Sequence, residues 1–189
     1  MSRMGGTHGT MPMLRFVGLI WLFTAVPAHA MDNVPVKAFF GEYEGTAVVT
    51  DGDDTGERQA RVVISKHKSG FSIEWETVIA DDSGDTKTRS FETTFMPDDR
   101  ENLYISLVKG SMFEGKKARN PLNGEPLLWA TIKGKTLSVY NMVVTDDASY
   151  EISAYHRTLT DAGLDITFSR IVGEVVTRRV TGSLKRVSD

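Results

Sequence analysis

An alternation of apolar and polar side chains along residues 71–80, which is strict from Phe71 to Glu76, constrains the fold more than any other feature of the chain. Phe71, Ile73 and Trp75 fall on one side of an extended backbone, and Ser72 and Glu74 fall on the other. A repeat of two residues is typical of a β-strand with one buried face and one solvated face. Such a strand needs neighbouring strands to cover its apolar face, so the segment predicts an all-β core.

Similar segments recur along the chain, and clusters rich in Gly, Asp and Ser separate them. The candidate strands are residues 39–50, 59–66, 71–80, 86–96, 103–108, 127–133, 136–145, 150–158, 164–170 and 175–187. Many follow one another at about the 8–12-residue spacing typical of β-barrels and β-sandwiches. We predict a single antiparallel β-barrel of about ten strands, because closure leaves no edge strand unpaired. A two-sheet sandwich fits the same pattern.

Residues 1–30 predict an export signal. Arg3 and Arg15 supply positive charge, an apolar run covers residues 16–26, and Ala28 and Ala30 form the small-x-small pattern that signal peptidases cleave. The run is shorter than the about 20 residues of a transmembrane helix. We therefore expect residues 31–189 to form one β-barrel domain, periplasmic or secreted after cleavage near residue 30, without a transmembrane anchor.

The composition narrows the possible functions and the origin of the chain. It has no cysteine, which excludes disulfides, thiolate metal sites and a cysteine nucleophile. Small exported eukaryotic domains are usually rich in disulfides, so this absence favours a bacterial protein. With 22 basic and 25 acidic residues the net charge is −3, which argues against nucleic acid as a partner. Translation could start at Met1, Met11 or Met13 without changing the mature chain.

The first candidate strand contains Gly41-Glu42-Tyr43. This sequence resembles the Gly-x-Trp start of lipocalins and related calycin barrels, with Tyr43 in the place of the tryptophan. In those families an arginine of the last strand packs on the aromatic ring. The resemblance implies that role for one of three residues of the last candidate strand, namely Arg178, Arg179 and Arg186.

The same start is also similar to the Gly-x-Trp-x-Gly motif of nitrobindin-type haem barrels. Those proteins carry a haem-ligating histidine close to the C-terminus, whereas no histidine follows His156 in this chain. Only His67 and His156 remain after removal of the signal, and neither has a second ligand at metal-binding spacing. We therefore expect neither a cofactor nor a metal.

The candidate ligand-binding residues are Trp75, Arg89, Tyr140, Tyr155 and His156. The three aromatic residues are suited equally to lining a cavity and to filling a core. Arg89 is in phase with the apolar face of its strand, so it either meets a ligand carboxylate at the barrel mouth or extends into water. His156 alternates with apolar residues, which predicts an imidazole that faces inward.

These features favour an exported protein that binds a small apolar or amphipathic ligand inside a β-barrel. One alternative is an interaction module with a filled barrel, which docks on an envelope protein through its outer face or through residues 110–126. Another is an enzyme that uses His156, although no catalytic set is recognisable and an enzyme is the less favoured interpretation. An internal cavity would separate the first hypothesis from the other two.

Overall fold

A computed structural model describes residues 32–80, 86–108, 117–118 and 120–189 of the chain. The predicted signal, residues 1–30, lies outside these residues, as does most of the first half of segment 110–126. Seven strands come first along the chain: β1 (Gly41–Asp51), β2 (Asp54–His67), β3 (Gly70–Ala80), β4 (Thr86–Pro97), β5 (Leu103–Ile105), β6 (Leu107–Val108) and β7 (Lys117–Ala118). Five follow: β8 (Leu127–Lys133), β9 (Thr136–Val144), β10 (Tyr150–Leu159), β11 (Gly163–Val172) and β12 (Val175–Ser188).

Ten of these strands form one closed antiparallel barrel, with the order β1-β12-β11-β10-β9-β8-β5-β4-β3-β2. The barrel closes because β1 pairs along its length with both β2 and β12. This arrangement confirms the predicted all-β barrel and excludes the two-sheet sandwich. It is consistent with a calycin-like architecture. Strands β6 and β7 form a separate two-stranded sheet.

The hairpin between β1 and β2 is tighter than the sequence predicts. The polar segment 51–56 predicts a loop, but Asp51 pairs with Asp54 and only Gly52 and Asp53 form the turn. Gly52 has a φ of 61°, which glycine adopts without steric cost and which suits a two-residue hairpin. Strand β2 therefore begins several residues earlier than its apolar pattern does.

One end of the barrel is filled by apolar side chains that are almost fully inaccessible. These side chains include Phe39, Tyr43, Ile64, Phe71, Ile73, Phe95, Leu137, Leu164 and Leu184. A 3₁₀ helix, η1 (Val36–Phe39), precedes β1 and supplies Phe39 to this cluster. The segment before η1 is anchored too, because the Val34 amide donates to the Gly134 carbonyl at 3.0 Å. We call this region the packed end.

Arg186 on β12, the last strand, contacts β1 and the residues just before it at the packed end. Its guanidinium lies 4.9 Å from the centre of the Tyr43 ring. It donates hydrogen bonds to the carbonyl oxygens of Phe40 at 2.6 Å and Ala38 at 3.1 Å. The Tyr43 hydroxyl donates to the Phe39 carbonyl at 2.9 Å. Among the three arginines that the sequence left open, the structure therefore places Arg186 on the aromatic ring.

Candidate functional site

A pocket of about 220 Å³ lies against the barrel wall beyond the packed end. Its apolar lining includes Ala47, Val49, Ala60, Val62, Trp75, Tyr155, Ile166, Phe168 and Val180. The register of the strands explains this lining, because Tyr155 pairs with Phe168, and Phe168 pairs with Val180. Side chains at paired positions lie on the same face of a sheet. We call this cavity the barrel pocket.

Aromatic rings form one continuous group along the barrel pocket. The ring of Trp75 lies 5.4 Å from that of Tyr155 and 4.6 Å from that of Phe91, centre to centre. Tyr155 in turn contacts Phe168 at 4.5 Å. Trp75 occupies this position because β3 continues the alternation that buries Phe71 and Ile73 at the packed end. The pocket therefore begins where the apolar face of β3 leaves the filled core.

Arg157 is the most unusual residue of the pocket, because it is a cation that is only 4% exposed. Its neighbours across the sheet are Leu137 and Ile166, both apolar. Its guanidinium carbon lies 5.7 Å from the Trp75 ring and 5.6 Å from the Tyr155 ring. Such contacts stabilise a cation through the negative faces of the rings, but they do not replace hydrogen bonds.

Two guanidinium nitrogens of Arg157, Nε and Nη1, have no hydrogen-bond partner among the residues that the structure describes. Burial lowers the pKa of Arg157 to about 10, so the group still carries its charge at neutral pH. A buried charged group without partners costs free energy in the folded state. The pocket therefore contains a positive charge whose hydrogen-bonding capacity is largely unused.

The other arginines of the pocket differ from Arg157 in exposure or in pairing. In the described part of the chain, five Asp, Glu, Lys or Arg residues line the pocket. Four are arginines and one is a glutamate: Arg58, Arg61, Arg157, Arg178 and Glu76. Arg61 pairs with Glu42 at 2.5 Å, and Arg178 pairs with Asp51. Arg58 is half-buried. Among the described residues of the lining, only Arg157 combines near-complete burial with N–H groups that have no partner.

Three of the five predicted ligand-binding residues, Trp75, Tyr155 and His156, border the barrel pocket, and the rings of Trp75 and Tyr155 meet there. Arg89 is exposed on β4, opposite Thr77. Tyr140 pairs with Trp129 and Ala154, on the face of the sheet opposite to that of Tyr155. Arg157 is not among the residues that the sequence predicts for the site, although it lies in phase with Tyr155 on β10.

The His156 imidazole lies on the outer face of β10, contrary to the expectation from the alternation, although the residue borders the barrel pocket. Its Nδ1 atom lies 2.8 Å from the Ser138 hydroxyl oxygen, and its ring contacts Tyr140 edge-on at 5.8 Å. Residues Tyr155 and Arg157 flank it and occupy the inner face instead. Among the described residues its side-chain hydrogen bond is to a hydroxyl rather than to a carboxylate, so this arrangement lacks the acid of a Ser-His-Asp set.

In the described residues, no group of three or more His, Cys, Asp or Glu side chains is placed to hold a metal ion. Nor does any helix in those residues have the length and hydropathy needed to cross a bilayer. No model of a known protein family and no curated protein matches the sequence.

Proposed function

We propose that this chain is an exported, lipocalin-like binding protein that holds a small apolar or amphipathic ligand in the barrel pocket. The observation that carries the proposal is the contrast between a filled packed end and a cavity of about 220 Å³ beside Trp75 and Tyr155. A concave apolar site with a few convergent polar groups is the usual form of a small-molecule site. The aromatic rings would cover the apolar body of the ligand.

A ligand screen on residues 31–189 tests this proposal. Fatty acids, isoprenoids, haem and small aromatic acids would be added singly, with native mass spectrometry and thermal unfolding as readouts. A ligand that binds only the folded state raises the melting temperature, by an amount that grows with its concentration relative to Kd. Binding would also change the fluorescence of Trp75, whose ring contacts the pocket residue Tyr155.

Two tryptophan variants locate the binding. Trp75→Ala should abolish most of it, whereas Trp129→Ala should retain it, because Trp129 stacks on Tyr140 at 5.1 Å on the outer face. Equal loss in both variants would point to unfolding rather than to a site. If no compound binds with a Kd below about 1 mM, which corresponds to about 4 kcal/mol, the proposal is wrong.

The export part of the proposal depends on the sequence of residues 1–30. Expression of the whole chain in a bacterium should give a periplasmic or secreted protein that begins at Met31, after cleavage at Ala30. Intact-mass measurement of that fraction is the check. A mass that still includes residues 1–30 would contradict export by cleavage.

An envelope interaction module is the second candidate. It is favoured by exposed apolar side chains near the β11–β12 turn, where Val175 is 64% exposed and Val172 and Val176 also reach solvent. Contiguous exposed apolar surface often marks a contact site. Val175→Lys should then weaken crosslinking to an envelope protein in cells without lowering the melting temperature. If crosslinking is unchanged, this surface is not a docking site.

A further inference from the structure

We propose that the ligand of the barrel pocket is a compact carboxylate whose negative charge is bound by Arg157. This inference rests on the proposed function and adds the chemical class of the ligand. It is based on three features that occur in one place. These are a cavity, a group of neighbouring aromatic side chains, and a buried guanidinium whose N–H groups lack partners among the described residues.

The charge of the ligand follows from the state of Arg157. Arg157 is only 4% exposed, so its guanidinium needs an anion or several acceptors to offset its lost hydration. The neighbouring Leu137 and Ile166 offer neither. A carboxylate accepts two parallel N–H groups of a guanidinium in one plane. A ligand carboxylate would therefore supply the hydrogen-bond acceptors that Nε and Nη1 lack among the described residues.

A single negative charge fits the pocket better than a double one. Arg61 already pairs with Glu42, and Arg178 pairs with Asp51. A phosphate monoester carries about −1.5 to −2 charge at neutral pH. Among the described residues it would meet only one fully buried unpaired cation, Arg157. The half-buried Arg58 is the other cation of the lining without an ion pair among the described residues. It is accessible to water, so its charge does not require a ligand.

The size and shape of the ligand follow from the volume and the rings. An apolar cavity of about 150 Å³ holds one benzene molecule, so about 220 Å³ holds one ring together with a short carboxylate arm. Typical sites for larger ligands occupy about 300–1,000 Å³. The flat faces of Trp75 and Tyr155 favour an aromatic or planar body. Small aryl carboxylates such as phenylacetate are therefore better candidates than long-chain fatty acids.

The decisive experiment compares phenylacetate with its uncharged isostere phenylacetamide, by calorimetry and by Trp75 fluorescence. Phenyl phosphate and palmitate serve as probes of charge and of size. We expect phenylacetate to bind about 10–100-fold more tightly than phenylacetamide, because hydrogen bonds between charged groups are stronger than those to a neutral amide. Phenyl phosphate and palmitate should bind more weakly than phenylacetate.

Variants assign the preference to a residue. Arg157→Met keeps most of the side-chain length, removes the charge, and should reduce the preference for the acid over the amide to about twofold or less. Arg179→Gln is the matched control, because it removes one positive charge from an exposed residue outside the pocket lining. It should leave the preference unchanged. Thermal unfolding of each variant shows whether it is folded.

The possible outcomes separate the inference from the proposed function. If phenylacetate and phenylacetamide bind equally well, the pocket binds ligands but the carboxylate assignment is wrong. The same conclusion follows if phenyl phosphate or palmitate binds more tightly than phenylacetate, or if Arg157→Met keeps the preference while Arg58→Gln loses it. If none of the four probes, nor any compound of the wider screen, binds below about 1 mM, the proposed function fails together with the inference.

Discussion

The two ends of this barrel are built from the same alternating strands but fill their interiors differently. At the packed end, inward positions carry Phe71, Leu137 and Leu184, which are almost fully buried against one another. Toward the other end, β3 places Trp75 and β10 places Arg157 around a cavity. The alternation therefore determines which face turns inward, whereas the choice of inward residue determines whether that interior is filled.

Replacing a large side chain by alanine at each end should change the free energy of unfolding by very different amounts. Phe71→Ala removes a ring that stacks on Phe95 at 5.2 Å and meets Tyr104 edge-on at 5.0 Å, so it should cost about 3–5 kcal/mol of unfolding free energy. Phe91→Ala removes a ring that is 51% exposed, and we expect less than about 1 kcal/mol. Urea unfolding of both variants measures the difference. Equal losses would mean that the two ends are equally well packed.

A second prediction concerns the contact that joins the first and last strands. Arg186→Met would leave the Phe40 and Ala38 carbonyls without their charged donor and should cost about 2–3 kcal/mol. Tyr43→Phe removes only the hydroxyl bond to Phe39 and should cost about 1 kcal/mol. The control is Arg179→Met, on the exposed face of the same strand, which should change little. A loss of less than 1 kcal/mol in Arg186→Met would show that the strands close without this residue.

The third prediction is a gain of stability, from a substitution in the barrel pocket. Arg157→Met replaces a buried cation that lacks hydrogen-bond partners in the described residues by an apolar side chain of similar length. The ligand-free protein should gain about 1–2 kcal/mol, because the desolvation cost of the charge disappears. Chemical denaturation at pH 7 is the measurement. A clear loss of stability would assign Arg157 a role in packing instead of binding.

The smallest expected effect is a difference in alkaline sensitivity. Burial raises the pKa of Tyr155, and the nearby Arg157 opposes this only in part. The folded state therefore favours the neutral phenol, and the resulting stability is present below the unfolded pKa and is lost as pH rises through the folded value. Tyr155→Phe should lose less stability than the unmodified protein between about pH 9 and 11. Identical pH profiles would show that this phenol does not titrate with unfolding.

The sequence was sufficient to predict the barrel because most of its strands are marked by alternation and by turn residues between them. The inward face of β3 follows directly from Phe71, Ile73 and Trp75. On β10 both faces carry aromatic or apolar residues, so the choice between His156 and its neighbours was not determined by the local pattern. Pairing with Val139 and Phe168 turns Tyr155 inward, and Arg157 follows it.

Arg157 could be found only partly from sequence. Its phase with Tyr155 was available, since residues two apart on a strand share a face. An arginine in a barrel strand is usually exposed or paired, and nothing local indicates that its cross-strand neighbours are Leu137 and Ile166. Those neighbours are set by the register of strands that lie apart in sequence. The cavity depends on the same long-range information.

The contact between Arg186 and the β1 region has a consequence for the order in which the chain folds. The β1–β12 seam joins residues up to 146 positions apart, as between Glu42 and Ser188, whereas β1 and β2 meet through a two-residue turn. Hairpins can form early, but the circle of strands stays open at β1 until β12 is available. A nascent or truncated chain that lacks β12 would expose the edges of both β1 and β11, and such edges recruit other chains. Completion of the last strand therefore decides between a closed barrel and a chain with exposed strand edges.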